Sequence, residues 1–451
     1  MEYLDITLEM IQELIQKKQV KTLKEVFQDY NIIDLADIVG ELSIEEALFI
    51  FKIIDKSITS VLFSYLPTEK QQHLISFFAG DQIKDILHNV YTDDVVDFLE
   101  ELPASMVKDI LKHASNQQRD VINQLLSYPE NSAGSIMTTN YIELEAENTV
   151  KEAMLEIKRN GRKVEQVNYY FVVDDDGCLI GVVSLRNILF SPEDNLMADL
   201  MGEDLISVRT DDDQEEASDV MRKYDLTVLP VLDTSNRLVG IITADDIIDI
   251  IQEEATEDMQ KMSAITPIET PYLETKISIL VKSRVTWLLI LLLAYALSSV
   301  IITKNQALLV IYPSLISFLP MLMDTTGDAG SQALAMVVRG IVIDDLDFKD
   351  FFKVVWKELK VATLCGLCLF TVNMIRMSVF VNDEGFAMAL VVSLTLFFLT
   401  VIAKLVGGVL PLIALLLKQD PAAMASPIIT TVCDSLSLLI YFSLAMTILG
   451  M

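Results

Sequence analysis

At 451 residues the chain is long enough for several domains, and a formal net charge of −31 beside 52% hydrophobic residues excludes one uniform globule. The acid lies in front: residues 1–275 hold 22 Lys+Arg against 54 Asp+Glu, while 276–451 hold 12 against 11. An acidic part of this size repels nucleic-acid phosphates and favours cations as partners, or serves solubility alone.

Four cysteines, Cys178, Cys365, Cys368 and Cys433, make no disulfide framework. The CxxC spacing of Cys365 to Cys368 falls in an apolar run, where small residues between helices are the better reading than metal chemistry. His73, His88 and His113 are scattered and carry no metal pattern. The start, MEYLDITLEM, lacks the basic and apolar regions of a signal peptide.

Residues 1–135 read as helices. Apolar residues recur at three and four, as in Ile83, Ile86, Leu87 and Val90. Leu66-Pro67 and Leu102-Pro103 each precede an amphipathic run, which suggests stacked helical hairpins in an all-α superhelical domain. Asp93, Asp94 and Asp97 crowd one helix start, where acids commonly serve the helix dipole.

Residues 136–250 change character. Tyr169–Val173 and Leu179–Ser184 read as strands around the turn Asp174-Asp175-Asp176-Gly177, and Leu185-Arg186-Asn187 opens a helix. The pattern returns at Leu229–Leu232, Asp233–Asn236 and Leu238–Thr243, so that Gly240 matches Gly181 and Asp233 matches Asp174. This repeat resembles a tandem pair of CBS domains, α/β modules that often bind adenine nucleotides in the cleft between them. The resemblance implies ATP or a related nucleotide near Tyr170, Arg186 and Asn187, although Asn187 stands where the family usually has Asp. From Asp245 to Ile265 no breaker interrupts a helix rich in acid, and residues 245–270 form a connecting helix. Its like charges repel unless cations lie between them, or it is a solvated linker.

Residues 271–451 read as an α-helical membrane bundle of five spans. They are Val285–Ile302, Ala307–Met323 with a further helix to Ile343, Val361–Val381, Phe386–Leu417 and Pro427–Leu449. Pro320 to Gln332 is expected to interrupt the second span, and Gly407-Gly408 and Pro411 to kink or closely pack the fourth. Lys and Arg near the span ends place the N-terminus in the cytoplasm and the C-terminus outside a cell membrane. Lys404 lies inside the fourth span and has no assigned role. Asp434 is the one ionisable residue of the last span. A carboxylate at that depth costs about 3 kcal/mol or more, so it faces a bundle interior or a water path.

The order of acidic helical domain, CBS pair, acidic connecting helix and five spans resembles the MgtE family of magnesium channels and transporters. Pro320–Arg339, Asp420-Pro421 and Pro427–Asp434 (PIITTVCD) carry the match. The family usually shows Gly-Asn-Ala-Gly where this chain has Gly327-Asp328-Ala329-Gly330, which leaves the role of Asp328 open. The resemblance implies a homodimer in a lipid bilayer, each copy supplying Asp434 to hold a largely hydrated Mg²⁺. Thr430 and Thr431 would line the same pore, with Asp328 near it. It also implies a plug helix that closes the cytosolic mouth. The regulatory Mg²⁺ positions would be Asp246, Asp249, Glu254, Glu257 and Asp258 on that helix, Glu215 and Asp225 in the second CBS domain, Asp93 and Asp97 before it, and Asp420.

Two other readings remain open at this point: a transporter of another divalent cation such as Co²⁺, and a non-conducting membrane sensor built on the CBS pair. Few soft ligands surround Asp434, apart from Cys433, which favours a hard ion. No nucleophile–base pair, P-loop or metal-hydrolase spacing marks an enzyme.

Overall fold

The protein is described by a computed structural model covering residues 6–268, 270–273, 275–344, 346–380, 385–422 and 426–450. The chain forms two compact units, Met1–Ile251 and Gln252–Met451.

The first unit begins with ten short helices among the described residues, from α1 (Leu8–Gln16) to α10 (Asn116–Leu125). Polar N-caps start several of them. Ser43 with Glu46, and Ser115 with Gln118, each make reciprocal capping bonds. Within this series α8 spans Thr92–Glu100. Two three-stranded sheets follow. In one, β1 (Glu143–Glu145) pairs parallel with β2 (Tyr169–Val173), which pairs antiparallel with β3 (Leu179–Ser184). In the other, β4 (Val208–Arg209), β5 (Val228–Leu232) and β6 (Leu238–Thr243) repeat the arrangement. Helices α11 (Val150–Asn160), α12 (Leu185–Phe190), α13 (Met197–Leu200) and α14 (Gln214–Lys223) lie between the strands in sequence. The expected strands, turns and helix starts of the repeat are all present.

Turn chemistry explains why the two copies fold alike. Asp174 Oδ1 accepts from the N–H groups of Asp176 (3.0 Å) and Cys178 (2.8 Å). Asp233 Oδ1 accepts from those of Ser235 (2.7 Å) and Arg237 (2.9 Å). Gly177 and Asn236, three residues after each Asp, adopt positive φ. One hydrophobic core joins the N-terminal helices to the second CBS repeat, through residues such as Phe98, Leu99, Met137, Leu229 and Ile242. The change of secondary structure near residue 135 therefore falls within one hydrophobic core.

Helix α15 (Ala244–Met262) ends before Ala264, whose φ is +54. The second unit then holds α16 (Ile277–Lys304), α17 (Gln306–Ile311), α18 (Ser314–Asp344), α19 (Phe351–Phe380), α20 (Gly385–Leu416) and α21 (Ser426–Leu449). Four described helices are long and apolar enough to cross a membrane: Ile277–Lys304, Phe348–Val379, Gly385–Leu416 and Pro427–Leu449. Val381, the expected end of the third span, lies outside the described residues.

The second span departs from expectation. No interruption occurs between Pro320 and Gln332, because α18 runs through both. The break falls earlier, at Tyr312, where the following Pro313 disfavours helical backbone. Gly327 and Gly330 serve close packing instead. A β-carbon at Gly327 would meet Thr430 Cγ2 at 2.8 Å, and one at Gly330 would meet Ile429 Cγ2 at 2.8 Å. The fourth span is likewise unbroken, and Gly407 packs directly on the carbonyl oxygen of Gly330.

That last contact makes a test of the bundle. Gly407→Val places a side chain where the Gly330 backbone lies, and overpacking of this kind costs about 2 kcal/mol. The expected result is a lower melting temperature of the detergent-solubilised chain. An unchanged melting temperature would show that the helices do not need this approach.

Candidate functional site

The strongest chemical feature of the first unit is a group of three carboxylates. One oxygen each from Asp93, Glu165 and Asp246 lies within 4.8 Å of the others. They come from the start of α8, the segment between α11 and β2, and the start of α15. A short connector, Thr138-Thr139-Asn140, holds all three in place. Thr138 exchanges backbone hydrogen bonds with Ile241 of β6 (2.8 and 3.0 Å), which leads directly into α15. The Asn140 side chain accepts from the Thr92 N–H (3.0 Å) and so caps α8 one residue before Asp93. The Asn140 carbonyl accepts from the Glu165 N–H (3.1 Å).

The group is held against its own electrostatics. Asp93 is only 6% exposed, and among the described residues its Oδ1 and the Oε2 of Glu165 are buried without a hydrogen-bond partner. Burial, then the charges of Glu165, Asp94 and Asp246, raises the Asp93 pKa well above the usual carboxylate range. Burial and Asp246 push Glu165 up to about 7. Burial also raises Asp246, opposed by the hydroxyl of Thr243, which donates to Asp246 Oδ2 at 2.6 Å. Asp94 reaches about 6 through desolvation and the charges of Asp246 and Asp245. Orphaned oxygens in an all-anionic pocket fit a hard divalent cation, which takes oxygen ligands.

The other expected positions divide. Asp97 and Asp249 are exposed and outside this trio. Glu215 lies in the first turn of α14, where its N–H donates to Asp213. Asp225, at φ +51, lines a CBS cleft of about 120 Å³ with Tyr169, Phe171, Asp204, Thr227 and Pro230. Tyr170 does not line it. Alternation along β2 sends Tyr170 into the core at 1% exposure and turns Tyr169 and Phe171 to the cleft. Arg186 and Asn187 are exposed on α12 and are not among the residues lining the cleft.

In the second unit an ammonium stands among three expected metal positions. Lys261 Nζ bonds Glu257 (2.6 Å) and Asp420 (2.7 Å). These bonds outweigh burial and raise the Lys261 pKa. Asp258 is pushed up to about 6 by burial and by Asp420. Glu254 is half-buried on the same helix.

Asp434 sits in α21 at 7% exposure, and among the described residues no hydrogen bond or ion pair reaches its carboxylate. The Thr430 and Thr431 hydroxyls both donate to the Pro427 carbonyl (2.9 and 2.8 Å), closing the first turn below it. Asp324 and Asp328 are exposed on α18. Lys404 is buried and donates to Gln332 at 3.3 Å.

Sequence reasoning missed Glu165 and Asn140, which lie in irregular segments with no periodic signal. Lys261 was legible only as a base four residues after Glu257.

Comparison with known proteins bears on the whole chain. Residues 319–444 match a family model described as MgtE, divalent cation transporter. Residues 30–131 match the MgtE intracellular N domain, and 133–193 and 197–253 match CBS domains. The magnesium transporter MgtE of Thermus thermophilus is 33% identical, covering 97% of this chain and 98% of its own. That of Bacillus subtilis is 29% identical with the same coverage. A crystal structure of the cytosolic domain of the Mg²⁺ channel MgtE in complex with ATP aligns with a TM-score of 0.51 and 31% identity, over 54% of this chain and 100% of that one.

The raised carboxyls fix a pH test. Glu165 binds its proton more tightly folded, at about 7, than unfolded, near 4.5. Its contribution to stability is full below about 4.5 and is lost as pH rises through about 7. In chelator, the first unit of the full chain should melt at a lower temperature at pH 8 than at pH 6, and Mg²⁺ should restore more at pH 8. Glu165→Gln should flatten this dependence, and a profile identical to wild type would remove Glu165 from the site.

Proposed function

We propose, because this chain belongs to the MgtE family of divalent cation transporters, that it carries Mg²⁺ across the cytoplasmic membrane and is closed by cytosolic Mg²⁺. The observation that carries the transport reading is Asp434, a carboxylate 7% exposed in a 24-residue apolar helix. A charge in such a place is costly and marks an ion path. Mg²⁺ sheds water reluctantly and binds through few carboxylates, so a sparse site suits it. Two copies in a homodimer would each contribute Asp434, with Thr430 and Thr431 beside it. Five crossings, the second formed by α17 and α18 together, would leave the N-terminus in the cytoplasm and the C-terminus outside. Lys276, Lys282, Lys349, Lys353 and Lys418 on the cytosolic side support that orientation.

Asp93, Glu165 and Asp246 would hold a regulatory Mg²⁺. Without a cation between them they repel one another, which favours states in which they part. Such a site shifts gating because its affinity differs between the two states. Asp246 stands at the head of α15, whose later residues Glu254, Glu257 and Asp258 belong to the second unit, so one helix could relay the change. Asp97, Asp249, Glu215 and Asp225 are further regulatory positions in this reading.

ATP is a weaker fit. Tyr169 and Phe171 suit the stacking of a base, but Asp204 and Asp225 are the charged residues lining the cleft and would repel phosphates. No step of the mechanism depends on it.

Mg²⁺ uptake into liposomes tests both parts. Asp434→Ala should abolish uptake, with Co²⁺ and Ca²⁺ as competitors defining selectivity. Asp246→Ala should weaken inhibition by Mg²⁺ on the cytosolic side about tenfold while leaving conduction intact. Unchanged uptake in the first variant, or unchanged inhibition in the second, would overturn the corresponding part.

A further inference from the structure

Asp434 has a neighbour of its own charge. Three contacts fix how α18 and α21 lie. The Tyr441 hydroxyl donates to the Leu315 carbonyl at 3.1 Å, a β-carbon at Gly327 would meet Thr430, and one at Gly330 would meet Ile429. Moving along α18 from Leu315 to Gly327 thus means moving back along α21 from Tyr441 to Thr430. The helices are antiparallel and in close register. One turn before Gly327 is Asp324, and one turn after Thr430 is Asp434. The register therefore sets the two carboxylates at the same level.

The two differ in setting. Asp434 is nine-tenths buried, with no hydrogen bond or ion pair to its carboxylate among the described residues. Asp324 is exposed. Neither lone burial nor mutual repulsion favours this arrangement, whereas a divalent cation between them offsets the repulsion. One buried and one exposed carboxylate also leave room for the several waters that Mg²⁺ keeps.

We propose that Asp324 and Asp434 form one two-carboxylate site for a hard divalent cation in the membrane unit. Asp434 is the inner ligand, and Asp324 supplies the second charge from the accessible side. Each carboxylate added to the site attracts a divalent ion twice as strongly as a monovalent one, so Asp324 favours divalent over monovalent ions. The assignment rests on Asp434 being the transport site.

The test is Mg²⁺ uptake by the full chain in liposomes, read as KM and maximal rate. Asp324→Asn should raise KM about tenfold and weaken discrimination against Na⁺, with the maximal rate kept or increased. Asp324→Glu keeps the charge and should stay within about threefold of wild type. If Asp324→Asn gives no folded protein, Asp324→Ser enters the same comparison with Asp324→Glu. Equal KM for charged and neutral residues at this position overturns the proposal while leaving transport through Asp434 standing. No uptake by wild type, or full uptake by Asp434→Ala, overturns both.

Discussion

Like charges forced together in a protein interior are the constraint on which this molecule turns. Asp93, Glu165 and Asp246 converge with two of their oxygens buried and unpartnered among the described residues. Unpaired ions in such a setting cost several kcal/mol each. The groups escape by taking up protons or by sharing a cation. Membrane burial imposes the same choice on Asp434. In each place the fold creates a demand for positive charge that its neighbouring side chains do not meet.

Where a side chain does meet it, the demand ends. Lys261 bonds both Glu257 and Asp420, so that end of α15 carries its own tethered cation. An ammonium on a four-carbon stem is strongly hydrated and does not diffuse away. This corner carries its own positive charge, while among the described residues no ion pair reaches the trio at the head of the same helix.

Much of this was legible in the sequence, for physical reasons. The CBS repeat announced itself because Asp174 and Asp233 make the same turn, and a turn of that kind depends on local residues alone. The apolar lengths gave the membrane helices, since a bilayer sets a minimum span. Asp93 and Asp246 stood out as acids at helix starts. Glu165 did not, because its importance comes from a connector, Thr138 to Asn140, that acts through long-range hydrogen bonds. Pro320, Gly327 and Gly330 misled for a related reason. In water they signal a break, but between packed helices small residues let backbones touch and one proline is tolerated. Alternation in β2 was evident too, but which of Tyr169 and Tyr170 faces inward was decided by the sheet's partners.

The connector has a consequence for assembly. It joins α8, the segment before β2 and strand β6, which leads into α15, and these are far apart in the chain. Contacts of such separation form late, after the ends they tie have been brought together. During synthesis Asp93 and Glu165 leave the ribosome well before Asp246, so the N-terminal helices and the first sheet are made before the acidic trio can be complete. The acidic trio is thus a product of folding and not its template, complete only when the head of α15 reaches Asp93 and Glu165.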